Sequence, residues 1–310
     1  MSNYKLSFFF LICLVFSNIS FSSEFRIILK IDSGIITNID INNEEKYLKL
    51  LNPNINKIKE QELKKLAEES LIRQKIKEKK VEFILKDIEI NKFKDNVVRN
   101  FYKNKNFESL DLFKNHIKSL NLDYKYVENK IIIDALWTQL ILELFSKNVS
   151  IDRDQIKNRI IKQYKNLEKR YQYNLSEIFV SYEEYNQEKK KNIYQSINEF
   201  GFEFAANKFS KSESFKNGGK IGWVDEIKLN NIIKNKIKKK NVGDLTDPID
   251  LKNGILILKI NDKKEIKEKF DLNKDLKLAI EFEKKRQLSI LSLNYFKKLK
   301  QNTIIEKIEN

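Results

Sequence analysis

The sequence predicts an α+β protein, mostly helical, with a small sheet-bearing region in its second half. Three observations carry this. Only 7 glycines and 2 prolines occur in 310 residues, so long loops are few and helices dominate. Apolar residues recur at three- and four-residue spacing through much of the first half, as in Glu60–Val81, where Leu63, Leu66, Ala67, Leu71, Ile72 and Ile76 share one face. In the second half, β-branched and aromatic runs, LSEIFVS at Leu175–Ser181 and GILILKI at Gly254–Ile260, flank three clustered glycines, Gly218, Gly219 and Gly222.

Composition narrows the function. The net charge is +16, but the 60 basic residues are dispersed along the chain among 44 acidic ones. No recognition motif accompanies the charge, so nucleic acid is not an expected partner. A basic membrane-surface protein is the remaining reading of the charge, and it predicts binding that falls steeply with salt. No phosphate-binding glycine loop of the GxxxxGK type occurs, so no nucleotide is expected.

Taken in order, Met1–Ser23 reads as an export signal: Lys5 is the positive start, Leu6–Phe16 the apolar centre and Ser20-Phe21-Ser22 the small residues of a cleavage site. That apolar run is shorter than the roughly 20 residues of a membrane span. An uncleaved anchor is the alternative, and membrane contact would then pass through this segment alone. Cys13, the one cysteine, falls inside it. The exported remainder would lack disulfides, thiolate chemistry and cysteine metal ligands, and no cofactor or metal is predicted.

Phe25–Ile31 and Ile35–Ile39 read as a hairpin about Asp32-Ser33-Gly34, with Asp40 as the cap of a first helix. Helices follow at Glu60–Val81, Asn91–Asn104, Leu110–Ser119, Asp123–Ser146 and Asp152–Tyr171. Trp137 sits in the densest apolar run, Ile131–Phe145, which Asp134 and Glu143 interrupt, so it reads as a core helix. After the strand Leu175–Ser181 comes a helical stretch, Tyr185–Phe209, then the polar turn and glycine cluster ending in Trp223. Two strand-like runs joined at Asn253-Gly254 give a hairpin. A helix over Leu276–Leu299, with Leu288, Leu291, Tyr295 and Leu299 in a stripe, and a strand at Thr303–Ile308 close the chain. The lysine runs Lys189–Lys191, Lys234–Lys240 and Lys263–Lys269 read as solvated faces.

The run from Tyr173 to Asp262, with Phe204-Ala205, Phe209-Ser210, NGGKIGW at Asn217–Trp223, VGDLTDPI at Val242–Ile249 and GILILKI in that order, resembles a parvulin-type (PpiC, rotamase) peptidyl-prolyl isomerase domain. DSGIITNIDI at Asp32–Ile41, LIRQKIKEKKV at Leu71–Val81 and VSIDRDQI at Val149–Ile156 are similar to the N-terminal domain of the SurA family of chaperones. The resemblance implies a signal peptide over 1–23, a SurA-like chaperone domain over 24–170 and a parvulin-like β-α-β-α-β-β domain over 171–264. The helix and strand of 265–310 would return to the N-terminal domain, with TIIEKI pairing near FRIILKI.

It also implies a periplasmic location and unfolded outer-membrane or other envelope polypeptides as partners. Their groove would be lined by the Glu60–Val81 and Ile131–Phe145 helices and by Leu288–Leu299. Prolyl isomerisation must overcome an amide-resonance barrier of about 18–20 kcal/mol, which calls for an apolar pocket and polar groups that favour the twisted amide. By resemblance those polar groups include a histidine on the first strand, a cysteine or aspartate after the first helix and a histidine on the last strand. Here the corresponding positions are Glu177, Ser212 and Leu256, and the single histidine, His116, lies outside the domain. Weak or lost isomerase activity is therefore expected, the alternative being a working isomerase that uses Glu177 and Ser212. Phe204, Gly218, Gly219, Trp223 and Trp137 are the candidate peptide-binding residues, although Phe204 and Trp223 also read as core aromatics.

Overall fold

In the computed structural model, which describes residues 25–32, 34–82, 90–166, 170–266 and 271–308, two antiparallel sheets are set into a mainly helical chain. The expected export signal lies outside the described residues, as does Ser33.

The smaller sheet joins the two chain ends. Strand β1 (Ile27–Ile31) pairs with β2 (Gly34–Thr37) on one side and with β7 (Ile305–Lys307) on the other, with Leu29 opposite Lys307 and Ile31 opposite Ile305. Asp32, at φ 50, fastens the corner: its amide donates to the Ile304 carbonyl at 2.9 Å and its carboxylate accepts from the Ile304 amide and from Lys79 Nζ.

Helix α1 (Asn38–Leu51) begins earlier than its apolar pattern suggests. Thr37 is the cap and Asp40 its partner in a capping box, Thr37 Oγ1 accepting from the Asp40 amide at 3.2 Å and Asp40 Oδ2 from the Thr37 amide at 2.8 Å. Asp40 is thus three residues inside the helix, and Asn38 and Ile39, which read as extended, form its first turn. Helix α2 (Glu60–Val81) buries Leu63, Leu66, Ala67 and Leu71 against β1, β2 and α1, and Ile76 is buried one turn further on. Helices α3 (Ile90–Asn104), α4 (Leu110–Ser119) and α5 (Tyr124–Phe145) follow, with Ser109 and Asp123 as caps of the last two.

Helix α6 (Arg153–Asn166) stops short of Tyr171, which the sequence reading placed in a helix. Tyr171 and Tyr173 lie instead in the long strand β3 (Arg170–Ser181), opposite Glu265 and Lys263 of β6 (Gly254–Ile266). The alternation of RYQYNLSEIFVS satisfies the two-residue period of a ladder, and a partner strand of matching length decides the outcome.

The larger sheet has the order β4-β3-β6-β5, with β4 at Lys220–Asp225 and β5 at Ile249–Leu251. The expected helix Tyr185–Phe209 is two helices, α7 (Gln187–Phe200) and α8 (Phe202–Phe209), split at Gly201, whose φ of 92 ends the first. In the β5–β6 hairpin Lys252 and Asn253 form the loop, and Gly254 pairs with Leu251. A Cβ on Gly254 would lie 2.2 Å from the Val180 carbonyl oxygen, so glycine is required by the close approach of β3.

One face of this sheet, with Ile178, Val180 and Ile257, is covered by α7 and α8. On the other face Leu175, Leu256 and Leu258 meet Leu229, Ile233 and Ile237 around helix α9 (Asn231–Lys238). Helix α10 (Leu272–Gln301), roughly 45 Å long at 1.5 Å per residue, runs between the two parts of the molecule. Leu288, Tyr295, Phe296 and Leu299 pack on Trp137 and its neighbours in α5, while Phe282 packs against the face of the larger sheet.

Candidate functional site

A cleft of about 450 Å³ opens between the larger sheet and α10. Alternation along the strands builds it: Leu175, Glu177 and Phe179 of β3 point into it, as do Ile221 and Trp223 of β4 and Leu256 and Leu258 of β6. Helix α10 closes the opposite side with Phe282, Ile290 and Leu293.

Among the described residues, Glu177 is the only carboxylate in this lining. Its Oε1 accepts from the Ser212 hydroxyl and from Ser214 Oγ, the latter at 2.9 Å. Both serines belong to a 3₁₀ turn (Glu213–Asn217) that Ser212 caps. The turn ends in Gly218 at φ 66 and Gly219 at φ 76, and the Gly219 carbonyl accepts from the Glu177 amide at 2.7 Å. A Cβ on Gly219 would lie 2.3 Å from the Glu177 carbonyl oxygen. The glycine pair therefore brings the turn onto β3, and so places both serines on the carboxyl group.

Burial pushes the Glu177 carboxyl above the ordinary glutamate value, against the lowering effect of the two serine hydrogen bonds. A raised group binds its proton more tightly in the folded chain, so its stabilising contribution is present at low pH and is lost as pH rises through the folded value. Glu177→Gln, whose amide oxygen still accepts from both serines, is expected to melt higher than the parent at about pH 8, with the gap closing toward about pH 4. Thermal unfolding across that range checks this, and a gap that does not change with pH would contradict it.

Sequence reasoning thus finds Glu177, Ser212, Leu256 and Trp223, and the fold gathers all four here. Trp223 is 40% exposed at the mouth, with Lys264 Nζ 4.2 Å from its ring. The other candidates lie elsewhere. Gly218 and Gly219 stand behind the cleft and act on it through the backbone. Phe204 is 3% exposed in the core formed by β1, β2, α1 and α2, away from any cleft wall. Its helix α8 is wedged between the sheet and the N-terminal helices, which its local sequence does not disclose.

Trp137 belongs to a second cavity, of about 520 Å³, between α2, α5, α10 and the 3₁₀ turn. Its indole is 2% exposed, stacks on Tyr295 at 5.7 Å and donates to Ser292 Oγ at 2.9 Å. The cavity wall also carries Ile141, Leu142 and Leu288, and one side is a lattice of charges. Lys77 lies 3.3 Å from Asp134 and 3.1 Å from Glu213, and Lys216 lies 2.7 Å from Asp134. Burial would raise the Asp134 carboxyl, but Lys216 and Lys77 outweigh it and hold the group well below the usual carboxylate range.

The sequence reading gives Leu288–Leu299 to a groove with α2 and α5, but not the wall that α10 supplies to the first cleft. Its stripe of Leu288, Tyr295 and Leu299 faces α5, while Phe282, Ile290 and Leu293 form a second apolar stripe that faces the sheet. A helix apolar on two sides signals burial on two sides, and that signal was available. His116 is exposed on α4, its ring tilted against Phe107, and it lines neither cavity. Among the described residues no group of His, Cys, Asp or Glu comes together that would hold a metal ion, and no helix is long and apolar enough to cross a membrane.

The four-stranded sheet with its glycine-held turn and apolar cleft defines a parvulin-type fold, and residues 178–262 match the family model described as Rotamase, PPIC-type PPIASE domain. The chain carries a domain of that family within an α+β architecture. Among solved structures it is similar to a peptidylprolyl isomerase (PrsA) from Bacillus anthracis, at 20% identity over 77% of this chain and 98% of that one, with a TM-score of 0.30. It is similar to a Campylobacter jejuni structure whose description names PEB4 and Cj1289 as two SurA-like chaperones, at 18% identity over 92% and 99%, TM-score 0.37. The parvulin domain of PpiD from E. coli is 24% identical over 31% of this chain and 91% of that one, TM-score 0.27. Among curated proteins none matches.

Proposed function

We propose that the chain is an exported, periplasmic SurA-like chaperone for unfolded or partly folded envelope polypeptides, including outer-membrane proteins, and that its parvulin-like domain has weak or lost isomerase activity. The helical module comprises 24–170 and 265–310, and the parvulin-like domain comprises 171–264. The observation that carries the loss of activity is the cleft floor. Leu256 offers no hydrogen bond, and the Glu177 carboxyl is already engaged by two serines.

The cavity walled by α2, α5 and α10 supports the chaperone role. It presents apolar side chains from α5 and α10 beside Lys77 of α2, a surface that accepts many sequences without chemistry. Leu142, 39% exposed on that wall, is the place to test it. Leu142→Glu should raise the concentration of chain needed for half-protection of an aggregating client by about tenfold, equivalent to about 1.4 kcal/mol of lost apolar contact. Its folding stability should stay within about 0.5 kcal/mol of the parent, as for other exposed substitutions. Unchanged protection would remove the cavity from the mechanism.

The second reading, a working isomerase, is favoured by the apolar cleft and by a Glu177 carboxyl that holds its proton more readily than usual. A proline-limited refolding assay with the full chain separates the two. Protection from aggregation without acceleration supports the chaperone, and acceleration abolished by Leu256→Ala and Glu177→Ala supports the enzyme.

A further inference from the structure

Around the mouth of the cleft stand three lysines from three separate elements. Lys228 ends the 3₁₀ turn after β4, Lys252 lies in the β5–β6 hairpin loop and Lys285 is on α10. Lys252 and Lys285 are exposed and Lys228 is half-buried. Among the described residues none of the three has an acidic partner. Their neighbours differ: Arg286, on the same wall, is tied to Glu283 at 2.6 Å, and Lys77 and Lys216 at the second cavity are paired with Asp134. Among the described residues the one carboxyl inside is Glu177, turned toward its serines and, by its burial, held more readily in the neutral form.

We propose that this cleft selects apolar or proline-containing polypeptide segments flanked by carboxylate side chains, the apolar residue seating on Leu256 and Trp223 and the flanking charges meeting Lys228, Lys252 and Lys285. The selection rests on reading the cleft as a polypeptide site. The interior is mostly apolar, and the mouth offers cations with no acidic partner among the described residues, so charge is read at the rim and hydrophobicity at the floor. Separate elements supply the lysines, so a segment passing through the mouth meets positive charge on both of its sides.

The test uses the full chain and three fluorescein-labelled octapeptides that share a central Leu-Pro and carry Glu, Gln or Lys on either side, read by fluorescence anisotropy. The Glu peptide should bind about tenfold more tightly than the Gln peptide at low salt, a difference that shrinks toward about 0.5 M salt. Trp223→Ala should weaken the Gln peptide, which places binding in the cleft. The double variant Lys252→Glu/Lys285→Glu should reverse the preference and leave the Gln peptide unchanged. Lys157→Glu/Lys191→Glu, two exposed lysines outside the cleft with the same change of net charge, should preserve it.

Equal binding of Glu and Gln peptides, or a preference lost equally in both double variants, overturns the selection while leaving the cleft a polypeptide site. Failure of all three peptides to bind overturns both.

Discussion

Arg170→Met is expected to lower the unfolding free energy by about 3–5 kcal/mol, the largest effect of any single substitution considered for this chain. The guanidinium is 6% exposed at the start of β3. Its Nε and Nη2 donate to Asp225 at 3.1 and 2.5 Å, and its Nη1 and Nη2 donate to Asp275 at 2.8 and 2.6 Å. Asp225 ends β4, Asp275 lies in the first turn of α10, and the Tyr164 hydroxyl of α6 also donates to Asp275. One cation therefore ties the larger sheet to α10 and, through the shared Asp275, to Tyr164 of α6. Burial works against the charged guanidinium, but the hydrogen bonds to Asp225 and Asp275 more than compensate and raise it above the ordinary arginine value.

Methionine would fill most of the volume and leave two carboxylates, 4% and 2% exposed, without their cation. The penalty comes from the stranded charges, so the triple variant Arg170→Met/Asp225→Asn/Asp275→Asn should recover most of it. Guanidinium chloride unfolding of the three chains measures both steps. A single variant within about 1 kcal/mol of the parent would show that the cluster is not the joint described here.

Gly219→Ala should cost about 3 kcal/mol, combining about 1–2 for a left-handed backbone with about 1–3 for the forced separation of turn and strand. Gly222 supplies the control. Its φ of 85 is similar, yet a Cβ there meets nothing within 4 Å, whereas at Gly219 it would lie 2.3 Å from the Glu177 carbonyl oxygen and 2.9 Å from Ala206 Cβ. Gly222→Ala should therefore lose only the backbone part. Gly219→Ala should in addition speed exchange of the Glu177 amide, whose hydrogen bond to the Gly219 carbonyl would open. Equal losses at the two positions in chemical denaturation would mean that close approach to β3 is not what glycine provides.

Residue pattern made the helices Leu110–Ser119 and Glu60–Val81 legible to the residue, since a single apolar stripe and a bounded run suffice. It also carried the parvulin-like strands, the positions of Glu177 and Leu256 along them, and Ser212 in the polar stretch before the glycines. Where it erred, the deciding partner was distant or shared. Asp40 has the chemistry of a cap and of a capping-box partner, and only the end of β2 at Thr37 separates the two. Tyr171 follows a helical run yet pairs with Glu265, almost a hundred positions away. Phe204 reads from the sequence both as a core aromatic and as a groove aromatic, and the packing of α8 on α1 and α2 puts it in the core.

Local chemistry acts between neighbours along the chain, so the sequence by itself determined the helix faces, the glycine-held turn and the presence of Glu177 and Leu256 on strands. Which surfaces face one another depends on contacts among residues far apart, each worth little until the others have formed. Only the tertiary structure therefore decided that Arg170 collects carboxylates from β4 and α10, and that α10 serves as a wall for two cavities.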